Sequence, residues 1–175
     1  MVSAISRAGF LRGRFNSDST TIRPPWAVFE TELTDQCMGL ASCVDACPEG
    51  IIIKGRGGIP EISFASGECT FCGDCAKACP VGLLGLVSNK DEVQRPHWEL
   101  HLSVSDVCIS DKGVVCHICP EKCDAKAIGF DRTAARGILG KPNINQSICT
   151  GCGACIAPCP VGALSLSTIQ HNEAA

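Results

Sequence analysis

Short apolar runs separated by glycine and proline dominate the hydrophobic pattern of this 175-residue chain. Runs of this length with such boundaries predict short strands. They lie at residues 51–53, 83–87, 127–130 and 163–166. Apolar and polar residues also alternate at Trp98, Leu100, Leu102 and Val104. Because a period of two is typical of a strand with one buried face, one further half-buried strand is predicted there.

The cysteines form a repeating pattern along the chain. Fifteen cysteines fall into four groups. The groups are Cys37, Cys43 and Cys47; Cys69, Cys72, Cys75 and Cys79; Cys108, Cys116, Cys119 and Cys123; and Cys149, Cys152, Cys155 and Cys159. Two segments have the same plan: one joins the first two groups, and the other joins the last two. Each has an apolar run, then a glycine and basic stretch, and then a second apolar patch. The chain is therefore predicted to be a duplication, with two groups in each half.

The spacing within the groups predicts iron–sulfur chemistry. The second and fourth groups, CTFCGDCAKACP and CTGCGACIAPCP, match the C-x-x-C-x-x-C-x-x-x-C-P run of bacterial [4Fe–4S] ferredoxins. Three thiolates at this spacing can each reach a different iron. The three-residue step begins a short helix that carries the fourth sulfur away, and in two-cluster ferredoxins that sulfur ligates the other cluster. Pro48, Pro80 and Pro160 then end the turn, because proline has no backbone donor.

The third group is stretched. Gly113 occupies the first ligand position, and Cys108 lies five residues upstream of it. We expect a longer loop in which Cys108 serves as the first ligand. His117 lies between two ligands, and we expect it to be solvated or to face sulfur rather than to bind iron.

The first group lacks one thiol, because Leu40 occupies its second ligand position. Crossed ligation would give the first cluster Cys37, Cys43 and Cys79, and local ligation leaves the same deficit. All fifteen cysteines are therefore predicted as metal ligands. They would serve three [4Fe–4S] clusters with four cysteines each and one incomplete site that is [3Fe–4S], labile or empty.

The predicted fold class is α+β, with two tandem bacterial-ferredoxin-like modules of short strands and short helices around the clusters. The modules are expected at residues 37–95 and 96–175, with their boundary in the polar stretch 88–96. Residues 1–36 are expected to form a basic, flexible arm. Two small modules with few aromatic residues would have poor cores, so metal ligation is expected to support folding.

Composition, charge and cysteine spacing argue against several other classes of protein. The cysteine count is odd, the cysteines are tightly clustered, and residues 1–36 show no apolar export segment, so a reduced cytoplasmic metal protein is expected rather than a disulfide-bonded one. Structural zinc sites use separated C-x-x-C pairs, which fits these triplets poorly. Residues 1–26 carry a charge of +3 and the remainder −6, so no nucleic-acid partner is expected. No stretch has the length of a membrane span.

With its four groups in order, the chain resembles the NapF family, the ferredoxin-type proteins of the periplasmic nitrate reductase system. The resemblance is carried by the SRAGFLRGR start, the RPPW segment at 23–26, the GGIP–F–ECTFC entry to the second group, the stretched third group and the CTGCGACIAPCPVGAL ending. It implies a cytoplasmic protein that assists maturation of the nitrate reductase catalytic subunit before export and binds the precursor of that subunit. Leu40 departs from the family, where this position is cysteine.

Three functions stay open at this point. The chain could be an accessory protein for cofactor assembly, a soluble electron-transfer ferredoxin for a redox partner, or a structural zinc protein without redox activity. No arrangement of His, Asp, Glu and Ser indicates bond-making chemistry, so we expect that it is not an enzyme.

Overall fold

The computed structural model describes residues 21–27, 30–85, 88–89, 92–93, 98–130 and 140–169. The chain divides into two compact units, the first comprising Met1–Ser63 and Thr70–His97, the second Phe64–Cys69 and Trp98–Ala175. Both consist of short helices, two-stranded antiparallel sheets and glycine-rich loops. Among the described residues, no helix combines the length and the apolar character needed to cross a membrane.

The described part of the first unit contains three helices and two antiparallel strand pairs. They are α1 (Glu30–Gln36), α2 (Ser42–Asp45), α3 (Asp74–Lys77), β1 (Ile52–Lys54), β2 (Pro60–Ile62), β3 (Ser88–Asn89) and β4 (Glu92–Val93). In the β1–β2 pair, Ile52 lies opposite Ile62, and in the β3–β4 pair Ser88 lies opposite Val93. A 3-10 turn at Arg56–Gly58 joins β1 to β2. Within this turn Gly57 has φ of 67°, a conformation that glycine adopts without strain.

The stretch before α1 packs against β2. The amide of Ile62 donates to the carbonyl oxygen of Ile22 at 2.8 Å. The Arg23 guanidinium donates to the carbonyl oxygen of Pro60 at 3.1 Å and lies 3.5 Å from the carboxylate of Glu61. Residues 22–23 thus extend the β1–β2 sheet as a third, irregular segment.

Apolar side chains of the same stretch are buried. Trp26 is 6% exposed and meets Phe71 edge to face, with the ring centroids 6.4 Å apart. Leu33, on α1, is 1% exposed and packs with Ile59 and Leu83. The packing of this stretch differs from the flexible arm expected over residues 1–36. Burial of the apolar side chains from residue 22 onward stabilises the packed conformation relative to a free tail. Residues 1–20 lie outside the described part of the chain.

The second unit is built around a longer strand pair. Its elements within the described residues are α4 (Ile118–Glu121), β5 (Leu100–Val104), β6 (Ile128–Gly129), β7 (Asn143–Ile144) and β8 (Leu164–Thr168). β5 pairs antiparallel with β8, and β6 with β7. Leu100 and Leu102 are buried while His101 and Ser103 are exposed, which confirms the predicted alternating strand. The core consists of Leu102, Cys123, Ala127, Ile128, Cys155 and Leu164.

The duplication predicted from sequence is visible in the backbone. After the first cysteine group, the amide of Ser63 donates to the carbonyl oxygen of Ile51 at 2.8 Å. After the third group, the amide of Asn145 donates to the carbonyl oxygen of Ala127, also at 2.8 Å. Each bond closes the end of a corresponding two-stranded sheet, β1–β2 in one unit and β6–β7 in the other.

Two local predictions need qualification. Of the strand predicted at 83–87, Leu84 forms a single bridge with Ala27, and residues 86–87 lie outside the described part. A short helix begins inside the first three cysteine groups, but the fourth has only turns between Ala154 and Pro158. In α3 the amide of Ala78 donates to the carbonyl oxygen of Asp74. Pro158 stands at the equivalent position and has no amide hydrogen to donate, so the fourth helix does not close.

Candidate metal centres

The loops that carry the cysteines are curled by residues with left-handed backbone. In the second group Phe71 and Gly73 have φ of 56° and 77° on either side of Cys72. In the fourth group Gly151 and Gly153 have φ of 71° and 81° on either side of Cys152. Alternation of this kind turns successive N–H groups toward one concave side, an arrangement that suits anions and iron–sulfur clusters.

Close packing holds the fourth-group loop in place. A Cβ on Gly153 would lie 2.1 Å from the ring of Phe64, and a Cβ on Gly151 would lie 3.2 Å from Leu100. Phe64 is itself buried and meets the ring of Trp98 at a centroid distance of 5.9 Å. Only glycine allows the chain this approach, so the loop is positioned by apolar side chains from outside the cysteine motif.

A closed turn explains the stretched third group. The amide of Val114 donates to the carbonyl oxygen of Ile109 at 3.0 Å, and Gly113 has φ of 83°. Ser110, which is 1% exposed, donates its hydroxyl to the carbonyl oxygen of Cys116 at 3.2 Å. The extra residues thus form a loop that returns on itself and brings Cys108 near Cys116.

Four thiols from two groups line one cavity of the second unit. They are Cys108, Cys116, Cys119 and Cys159. Burial and then repulsion from Cys116 raise the pKa of Cys119 to about 11, with smaller contributions from Cys108 and Cys159. The structure thus brings Cys108 to the same cavity as Cys116 and Cys119, together with the last cysteine of the fourth group.

A second cavity of this unit has the reciprocal set. It is lined by Cys123, Cys149, Cys152 and Cys155. Burial, followed by repulsion from Cys152, raises the pKa of Cys155 to about 12. Burial raises the pKa of Cys149 as well, and Cys123 adds to that effect. Each cavity thus takes three thiols from one group and the last thiol from the other, which is the crossed arrangement.

The turn after each group is repeated four times. The third residue after the last cysteine has positive φ and donates its amide to the carbonyl oxygen of that cysteine. These residues are Gly50, Gly82, Lys126 and Gly162. The amides of Ala127 and Ala163 then donate to the sulfurs of Cys123 and Cys159, both at 3.2 Å. Such bonds place backbone donors directly on the sulfurs of two candidate ligands.

In the first unit, thiols from both groups also lie near one another. Burial raises the pKa of Cys43, and Cys37 and Cys79 raise it further by repulsion. Cys37 directly follows α1, and its amide donates to the carbonyl oxygen of Leu33 at 3.1 Å. Leu40 is 59% exposed. The structure therefore brings together the three cysteines that crossed ligation gives to the first cluster.

The remaining cysteines of the first two groups have different environments. Cys75 is buried on α3, Cys47 is half-buried, and Cys72 is exposed. Cys69 is counted with the second unit, where its amide donates to the carbonyl oxygen of Cys152 at 2.8 Å.

His117 does not line either cavity of the second unit. Its ring is exposed and meets Phe130 edge to face at 5.4 Å. The His117 side chain is thus exposed to solvent. Two supports of the fourth-group loop were not predicted: Phe64, and Gln146, whose side-chain amide donates to the carbonyl oxygen of Leu102 at 2.7 Å. Phe64 could have been noticed because aromatic residues are scarce in this chain, with only six Phe and two Trp.

The donor set suits iron–sulfur clusters. All fifteen cysteines carry free thiols. Among the described residues, no three Cys, His, Asp or Glu side chains converge on a position for a single metal ion. A cubane cluster does not require that convergence, because each thiolate binds a different iron. Thiols spread around a cavity, with glycines that admit close approach, therefore fit such a cluster.

Comparisons with known proteins give the same chemistry. The family model of the 4Fe-4S dicluster domain matches this chain twice, over residues 35–83 and 112–163. Ferredoxin-type protein NapF of Escherichia coli K12 is 38% identical over 95% of this chain and 97% of its own length. Ferredoxin-type protein NapF of Haemophilus influenzae is 33% identical over 98% of this chain and 99% of its own. The methylamine utilization ferredoxin-type protein MauM of Methylophilus methylotrophus is 31% identical over 88% of this chain and 73% of its own.

Proposed function

Because this chain belongs to the NapF family of ferredoxin-type iron–sulfur proteins, we propose that it is a cytoplasmic accessory protein of nitrate reductase maturation. It would assist the periplasmic nitrate reductase catalytic subunit before export and would not itself be an enzyme. The two family-model matches support a chain of two tandem ferredoxin-like modules.

The observation that carries the iron–sulfur part of the proposal is the pair of reciprocal thiol sets in the second unit, whereas the accessory role is supported by membership of the NapF family. Cys159 joins the third group's cavity, and Cys123 joins the fourth group's cavity. This exchange supports two [4Fe–4S] clusters with four cysteine ligands each. By the same pattern, the first half would hold one complete cluster and one incomplete site at Leu40.

The groups around these sites stabilise the thiolates of the candidate ligands and limit the access of water to them. [4Fe–4S] clusters, when bound, supply one-electron transfer at a potential that the protein sets. The amides of Ala127 and Ala163 stabilise negative charge on the sulfurs that they contact. Leu102 and Leu164 exclude water from one side of the sulfur-lined core. An accessory role and an electron-transfer role both use this arrangement, so binding to a partner distinguishes them.

Co-purification tests the accessory role. Tagged full-length protein would be isolated from cells that contain, or lack, the nitrate reductase catalytic subunit. We expect the precursor of that subunit in the first eluate. A chain without residues 1–20 tests the basic arm while keeping the buried Ile22 and Trp26, and loss of binding with unchanged iron content would assign docking to those residues. If the full-length chain brings down no precursor but exchanges electrons with a redox partner, the electron-carrier function is correct instead.

A further inference from the structure

The loop of the first cysteine group keeps the shape of a ligand loop without its second thiol. Gly39 and Ala41 have φ of 68° and 64° on either side of Leu40. Phe71 and Gly73 have φ of 56° and 77° in the same places of the second group. Positive φ costs free energy at Ala41, because this residue has a Cβ. The first-group loop therefore has the same strained backbone as the second-group loop, although its central side chain, Leu40, cannot bind metal.

Position 40 faces the surface. The Leu40 side chain is 59% exposed. Cys72 occupies the equivalent place in the second group, and among the fifteen cysteines, all of them described, it is the exposed one. The second ligand position of this loop type is therefore accessible from solvent in the first unit.

The other three positions lie on the protein side. Cys37 and Cys79 pack against the buried cluster of Leu33, Ile59 and Leu83. Cys37, Cys43 and Cys79 are all half-buried, unlike Leu40. Three thiols thus face the interior of the site, and the place of the fourth ligand opens outward.

We propose that the first site is a three-cysteine iron–sulfur site with one iron corner open at Leu40, and that this corner takes a thiolate from outside the chain. The incoming thiol releases its proton to solvent as its sulfur binds iron, and no electron is transferred. The thiol could belong to a small molecule or to a cysteine of a bound protein. The inference rests on the proposed function only in that this chain holds iron–sulfur clusters.

Iron retention tests the open corner. Wild type, Leu40→Cys and the matched control Leu40→Ala would be reconstituted without oxygen and then exposed briefly to air. We expect wild type and Leu40→Ala to lose about one iron per chain and to gain the electron paramagnetic resonance signal of an oxidised three-iron cluster. Leu40→Cys should keep its iron and show no such signal, since it restores the missing thiolate.

A thiol added beforehand identifies the exchangeable ligand. We expect 2-mercaptoethanol to reduce iron loss in wild type and Leu40→Ala but to leave Leu40→Cys unchanged. If the source is a bound protein, the co-purified complex should retain its iron in thiol-free buffer as well. Equal iron loss in wild type and Leu40→Cys would overturn the inference. So would an empty first site, seen as about four fewer irons in wild type than in Leu40→Cys before exposure.

These readouts separate the inference from the proposed function. Iron content and the resonance signal do not depend on binding to the nitrate reductase precursor, so a chain that fails to bind it still tests the open corner. If no variant holds iron, the proposed function fails first, and the inference fails with it.

Discussion

At the scale of single residues, glycine decides how closely apolar side chains can cover the cysteine loops. Gly153 has φ of 81°, and the ring of Phe64 occupies the space where its Cβ would be. Gly162 has φ of 58°, but nothing lies within 4 Å of its Cβ position. The two positions therefore differ in steric contact while sharing the backbone conformation.

Gly153→Ala should destabilise the second unit by the sum of two effects. Left-handed backbone costs about 1–2 kcal/mol for a residue with Cβ, and displacement of Phe64 adds about 1–3 kcal/mol of overpacking. Gly162→Ala should show the first effect alone. Thermal loss of the visible absorbance of the iron–sulfur protein measures both variants. Equal midpoints for the two would show that the contact with Phe64 does not constrain the loop.

At the scale of elements, side-chain hydrogen bonds fix the position of segments that are too short to be stable on their own. The side chain of Gln146 donates to the carbonyl oxygen of Leu102 at 2.7 Å and accepts from its amide at 3.3 Å. Asn145 accepts from the amide of Ser147 at 3.1 Å, and its carbonyl oxygen accepts from the amide of Cys149. Together these bonds attach the entry of the fourth group to β5.

Gln146→Ala should lower the free energy of unfolding by about 1–2 kcal/mol, because two backbone groups of Leu102 lose their partner. The fourth-group cysteines should then lose iron sooner under chelation. Ser167→Ala, at an exposed position of β8, serves as control and should change stability by less than about 0.5 kcal/mol. Denaturant unfolding followed by circular dichroism measures the difference. A Gln146→Ala variant as stable as the control would rule out a structural role for this side chain.

At the scale of the whole molecule, the candidate ligands are themselves part of the core. Cys123 and Cys155 are buried in the same cluster as Leu102, Ile128 and Leu164. Without metal, these thiols would be buried close to one another, and burial followed by repulsion raises the pKa of Cys155. Folding and cluster ligation are therefore expected to be coupled, as in other small metallo-domains.

Removal of iron should unfold the protein. After treatment with a chelator and an oxidant, we expect the colourless apoprotein to lose its native circular dichroism, because ligation supplies much of the folding free energy. Reduction followed by reconstitution should restore both colour and circular dichroism, which controls for irreversible cysteine oxidation. An apoprotein with native-like circular dichroism would show that the apolar core is sufficient.

The sequence by itself determined the features that act over a few residues. The C-x-x-C-x-x-C spacing predicts three thiols on one curled loop, because backbone geometry over so short a span leaves few alternatives. Short apolar runs predicted β1, β6 and β8, and alternation predicted β5. The missing thiol at Leu40 and Cys108 as a candidate substitute ligand were also visible, since internal repeats show what is expected at each position.

Tertiary structure decided which distant segments meet. Only packing shows that Cys159 lies with Cys108 and Cys119, because crossed and local ligation have the same spacing. Only packing places Ile22 beside β2 and Trp26 against Phe71, in a stretch whose charge and composition predicted a free arm. Contacts of this kind depend on the burial of apolar surface between residues far apart in the chain, and local spacing carries no information about them.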